Sequence, residues 1–222
     1  MNRNTIPVYV VGSAILAYMV DYISGKQSPV LWISIITLWV STVSLSRTGT
    51  IIAFFLFVLV MLYKIKYLSH LYNNKKVKKI IIAFTILAVL LAVLMTGIVV
   101  YNSSRYSIEG IMSNSTMERI KLIQSFLDQT NIKRAFTGFK FIDETLKDPH
   151  NSYLTLWSYC GIAAFPVFVF MFYLLLKLFK SNHFVTGLYF LILLYPVAEH
   201  VLFIRFHDYL IYTLFFYYFK ER

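Results

Sequence analysis

Directly ahead of a long apolar run, Asp148-Pro149-His150-Asn151 gathers the side chains best suited to chemistry. An imidazole titrates near neutrality and can take a proton from a hydroxyl. Asp148 suits an N-cap and Pro149 the first helical position, which puts His150 in the first turn of a helix. There the positive end of the helix dipole disfavours imidazolium and keeps the ring able to accept a proton, with Asp148 working partly against this. Free backbone N–H groups at the same helix start suit a phosphate. Arginines supply complementary chemistry, because a guanidinium grips phosphate oxygens through two parallel hydrogen bonds. Arg47 is the one charge between Lys26 and Lys64, while Arg105 and Arg119 lie in the one sizeable polar stretch. Arg205 forms a further group with His207 and Asp208. Each also has a plainer explanation: a helix start for His150, an interfacial snorkelling side chain for Arg47, and an i,i+3 Arg205–Asp208 pair within one helix.

The elements that must hold these residues are membrane spans. Of 222 residues, 59% are hydrophobic and 14% charged, with a mean hydropathy of +0.67. Soluble domains carry about 25% charged residues. The apolar runs are too long for barrel strands and recur to the C-terminus, so neither an outer-membrane barrel nor a signal peptide accounts for them. One cysteine, Cys160, excludes a disulfide framework. About twenty apolar residues cross a bilayer, and the chain predicts seven such spans. The first covers about 6–23. Residues 29–63 would make a ~52 Å helix at ~1.5 Å per residue, so they fold into two short spans turning near Ser46–Gly49. A fourth covers about 80–101 and a fifth about 152–176. Residues 184–219 form two more, broken near Pro196, Glu199 and His200.

Basic residues in short loops set orientation. The 64–79 loop holds Lys64, Lys66, Lys75, Lys76, Lys78 and Lys79 without an acid, and Lys26, Lys177, Lys180, Lys220 and Arg222 fall on the same side. That side is the cytoplasm, and this explains the net charge of +11 better than nucleic-acid binding does. The Ser46–Gly49 turn, the 102–149 segment and the Glu199 turn then face outward. An outside N-terminus without a signal peptide leads us to expect the C-terminal part of a longer chain, with residues 1–222 as a single polytopic domain. Within the outer segment, Met117, Ile120, Ile123, Phe126 and Leu127 follow three- and four-residue spacing. This predicts an amphipathic helix capped by Ser115 or Thr116, a lid resting on the bilayer or on the bundle.

In chain order, "SLSRTGT" in an outward turn, "ERIKLIQSF" in the outer segment and "DPHNSYLTLWSYCGIAAF" entering a span resemble the C-terminal half of the O-antigen ligase and O-antigen polymerase superfamily of bacterial envelope glycosyltransferases. The matching elements are Ser46, Arg47 and Gly49, then Arg119, then His150, Asn151 and Gly161, across about residues 30–180. The family's outer loop often carries a proline and two nearby glycines before the His-Asn pair. Here "IKRAFTGFKF" keeps only Gly138, so Arg105 is the alternative to Arg119.

The resemblance implies an all-helical C-type glycosyltransferase fold and a polyprenyl-diphosphate-linked glycan donor. Arg47 and Arg119 would bind the diphosphate and offset charge developing on the leaving group. His150 would deprotonate the acceptor hydroxyl, and Asn151 would orient it or cap the helix. Arg105 and Arg205 are further substrate-binding candidates. No cofactor and no divalent metal are implied, and the sequence lacks an Asp-x-Asp pair or a histidine cluster suited to one. The expected activity is polymerisation of lipid-linked repeat units at the outer face of the bacterial cytoplasmic membrane. The expected partners are a glycan or lipid acceptor, membrane lipids, and a chain-length regulator or flippase. Ligase-type transfer to a lipid or protein acceptor is the alternative, and a lipid-glycan flippase or an inactive remnant represents other classes.

Overall fold

A computed structural model describes residues 5–26, 28–71, 114–141, 151–199, Asp208 and eight positions between Lys79 and Gly97. His150, Arg105, Arg205 and most of the predicted fourth and seventh spans lie outside these residues. Every element that is described is helical: α1 (Thr5–Ile23), α2 (Leu31–Val43), α3 (Arg47–Leu71), α4 (Asn114–Gln129), α5 (Ile132–Thr137), α6 (Ser152–Cys160), a 3-10 turn (Gly161–Ala164), α7 (Phe165–Ser181) and α8 (His183–Ala198). Three stretches are long and apolar enough to cross a membrane: Thr5–Ile23, Arg47–Leu68 and Ser152–Ser181. Two shorter apolar helices, α2 and His183–Val197, accompany them. The chain divides into two compact units, Met1–Tyr106 with Tyr209–Arg222, and Ser107–Asp208.

In the first unit, α2 reverses the amphipathicity of a soluble helix. Its buried face is Ser34, Thr37, Leu38, Ser41 and Thr42, while Trp32, Ile35, Ile36, Trp39 and Val43 are exposed. Small residues let helices approach closely where no water drives apolar faces together, and large apolar side chains are left for lipid. Both buried threonine hydroxyls turn back on their own helix: Thr37 donates to Ile33 O at 2.7 Å and Thr42 to Leu38 O at 2.8 Å. The 29–63 run breaks where expected, but unevenly. α2 has 13 residues and α3 has 25, so one short and one long helix replace two short spans. Leu45 reverses the chain in the left-handed region, at φ 57°. At the opposite end of α2, Tyr18 donates to Val30 O, and Lys64 Nζ donates to Ser28 Oγ at 2.6 Å. The connection carrying Lys26 therefore lies at the Lys64 end of these helices.

In the second unit, α4 starts at Asn114, so Ser115 and Thr116 lie inside its first turn and neither is the cap. Leu122 and Phe126 are each 2% exposed and pack with Phe139, Phe141 and Leu154. Of the predicted stripe only Phe126 enters this core; Met117, Ile120, Ile123 and Leu127 remain exposed. The helix thus has a core-facing edge and a separate exposed apolar edge. The apolar stretch predicted as the fifth span is helical but broken, since Gly161 ends α6 with φ 55° and a 3-10 turn leads into α7. Asn182 closes α7 and caps α8, accepting from Val185 N at 3.0 Å. α8 ends at Ala198, and Glu199 is extended at φ −143°. The break in the 184–219 run is therefore at Glu199, while Pro196 sits within the helix.

Candidate functional site

The Ser46-Arg47-Thr48-Gly49 turn is the start of α3. Gly49 N donates to Ser46 Oγ at 3.3 Å and Thr50 N to Ser46 O at 2.9 Å, so buried Ser46 acts as the N-cap. Arg47 is the first helical residue and is half-buried. Thr50 Oγ1 donates back to Ser41 O at 3.1 Å, which pins the turn to α2. A Cβ at Gly49 would overlap the Pro7 ring of α1. The glycine is therefore required for close helix approach, a packing reason that its place in the motif did not reveal.

The start of α6 differs from the sequence expectation. Asn151, rather than Asp148, is the N-cap: its Oδ1 accepts from Tyr153 N at 2.9 Å and Leu154 N at 3.1 Å. The helix therefore begins at Ser152 rather than at Pro149, and His150 itself lies outside the described residues. The anion cradle expected there is partly filled, because two of its N–H donors already serve Asn151. An amide side chain wins this position because it can cap and donate at once. Its Nδ2 gives a hydrogen bond to Val197 O at 2.8 Å, which an aspartate cannot do.

Three consecutive residues at this helix start reach α8 in the same way. Ser152 Oγ, fully buried, donates to Glu199 O at 3.0 Å, and Tyr153 OH donates to Leu193 O at 2.6 Å. The last carbonyls of a helix have no partner within it, so Val197 and Glu199 accept from outside. Arg119, on α4, joins the same locus: its Nη2 lies 3.0 Å from Glu199 Oε1. Arg119 and Asn151 are thereby brought to one end of α8. Arg47 belongs to the other unit. No family model, curated protein or solved structure matches the chain.

Sequence reasoning used Glu199 only as a mark of chain breakage and passed over Ser152. The signal in the sequence is that Glu199 is the sole acid between Asp148 and Asp208; an isolated ionisable group in an apolar run is a candidate for function. Gly138 was likewise only a leftover of a motif. It stands at φ 79° against the end of α6, where a Cβ would lie 2.8 Å from both Ser158 O and Tyr159 O. Phe139 N donates to Ser158 O at 2.6 Å and Trp157 Nε1 to Ala135 O at 3.1 Å. The break at Gly161 frees α6 carbonyls, and the α5 segment supplies a donor. Beside α6, Tyr153, Phe168, Met171, Phe172 and Leu193 line an open groove of about 290 Å³. Its walls suit hydrocarbon rather than a headgroup.

Proposed function

We propose that this membrane protein is a glycosyltransferase that polymerises polyprenyl-diphosphate-linked oligosaccharide units into surface polysaccharide. In this reading the chain crosses the bacterial cytoplasmic membrane seven times, with loop 64–79 inside and segment 102–149 outside. Arg119 and Arg47 neutralise the donor diphosphate, His150 takes the acceptor proton, and the polyprenyl leaving group departs as its diphosphate. The observation that supports the reading best is the convergence of Arg119 and Asn151 on the last turn of α8. The resemblance puts a loop arginine and a His-Asn helix start in one site; here residues 32 positions apart in the chain share one anchor. The apolar groove beside Tyr153 is in keeping with a polyprenyl tail.

The test is glycan transfer from lipid-linked repeat units by the protein in lipid nanodiscs. His150→Ala should lower turnover by roughly 10²–10⁴-fold, the scale of general base catalysis, with donor affinity little changed. Arg47→Lys should impair donor use despite keeping its charge, because an ammonium lacks the guanidinium's fork. Full-length glycan from stably inserted H150A protein would defeat the reading.

A further inference from the structure

Arg119 has a long, rotatable side chain on an amphipathic helix, and left alone it would sample many positions. It meets a carboxylate from 80 residues further along the chain, with Nη2 to Glu199 Oε1 at 3.0 Å. The two ends of this pair differ: the Glu199 side chain is 11% exposed and that of Arg119 is 34% exposed. The acid is thus committed to a nearly dry place, where a charge requires a partner. The Arg119 side chain, in contrast, is only partly enclosed. Glu199 is itself fixed by its surroundings. Its carbonyl accepts from Ser152 Oγ, two residues earlier Val197 O accepts from Asn151 Nδ2, and a turn earlier Leu193 O accepts from Tyr153 OH.

We propose that Glu199 is a positioning residue, which presents the Arg119 guanidinium to the donor at the head of α6. This rests on the assignment of Arg119 to the donor diphosphate made above. Glu199 touches neither the donor nor the acceptor; it acts by fixing where and in what orientation the arginine stands. A fork-shaped cation is useful to a diphosphate only when it is already aimed, since ordering it at binding costs affinity. One carboxylate of fixed location achieves that on a side chain that is still one-third exposed.

The test uses the full chain in lipid nanodiscs and compares Glu199→Gln, Glu199→Asp, Arg119→Lys and the Gln/Lys double variant. Donor KM, acceptor KM and kcat are measured with lipid-linked repeat units, and binding of inorganic pyrophosphate is followed by calorimetry. E199Q is expected to raise donor KM and weaken pyrophosphate about tenfold while acceptor KM is unchanged. E199D should recover part of the loss. The double variant should be no worse than R119K alone, since coupled residues are not additive. E199Q binding pyrophosphate as tightly as the parent or tighter, with R119K impaired, would overturn the positioning role and leave the donor role of Arg119 intact. No effect of R119K on donor KM or on pyrophosphate would instead remove the donor role, and the positioning role with it. If E199Q is not recovered folded, E199D carries the test: parental KM values in E199D would overturn the proposal, and a selective rise in donor KM would uphold it.

Discussion

In α2 the hydroxyls of Thr37 and Thr42 bond to carbonyls of their own helix, whereas in α6 the side chains of Asn151, Ser152 and Tyr153 all cross to α8. The first unit brings its helices together by close approach of small residues, with the Thr37 and Thr42 hydroxyls satisfied on their own helix and the cross-links of Tyr18, Thr50 and Lys64 at the ends of α2. The second joins broken, shorter helices through side-chain bonds to backbone carbonyls, two of them, Val197 O and Glu199 O, at the end of α8. Packing of the first kind tolerates changes of polarity but not of size. Cross-links of the second kind tolerate neither, because each lost donor strands a carbonyl. The two arginines also stand in different settings: Arg47 is the first residue of α3, beside the Ser46 cap, and Arg119 pairs with a distant carboxylate.

The comparison can be broken most forcefully at the glycines. Gly161→Ala should cost roughly 2–5 kcal/mol, combining ~1–2 for a left-handed alanine with ~1–3 for overpacking. Its Cβ would run into Phe136 O and lie 2.5 Å from Gly138 N, and backbone cannot swing aside as a side chain can. Gly49→Ala in the first unit lacks the backbone penalty and should cost only ~1–3 kcal/mol. Unfolding titrations in mixed micelles rank the two. Equal losses would mean that size alone governs both units.

Asn151→Ala should follow, at roughly 1–3.5 kcal/mol, from a lost cap worth ~0.5–2 and a lost interhelical bond worth ~0.5–1.5. Hydrogen exchange should quicken in the first turn of α6 and in the last turn of α8 together. Faster exchange in α6 alone would reduce Asn151 to a simple cap.

Thr42→Val should have the smallest effect, no more than about 1 kcal/mol, since Leu38 O keeps its helical bond when the hydroxyl goes. The same titration checks it. A loss as large as that of N151A would show that α2 hydroxyls do more than turn back on their helix.

Hydropathy and local punctuation carried much of the architecture. The long apolar helices at Thr5–Ile23 and Ser152–Ser181, the turn at Ser46–Gly49, the amphipathic helix from Asn114 and the break at Glu199 all follow from runs, periods and turn residues within a few positions of one another. These signals are local, and helices in lipid must satisfy their backbone locally, so the sequence alone determined them. It could not say that Asn151 would displace Asp148 as the cap, since the deciding bond goes to Val197. Nor could it tell that Leu122 rather than Leu127 would meet Phe141, because both lie on apolar edges of one helix. The approach of Gly138 to the end of α6 and the pairing of Arg119 with Glu199 are likewise decisions of tertiary structure. A carboxylate 80 residues away leaves no periodic trace in the chain; only the folded arrangement brings it within 3.0 Å of the arginine.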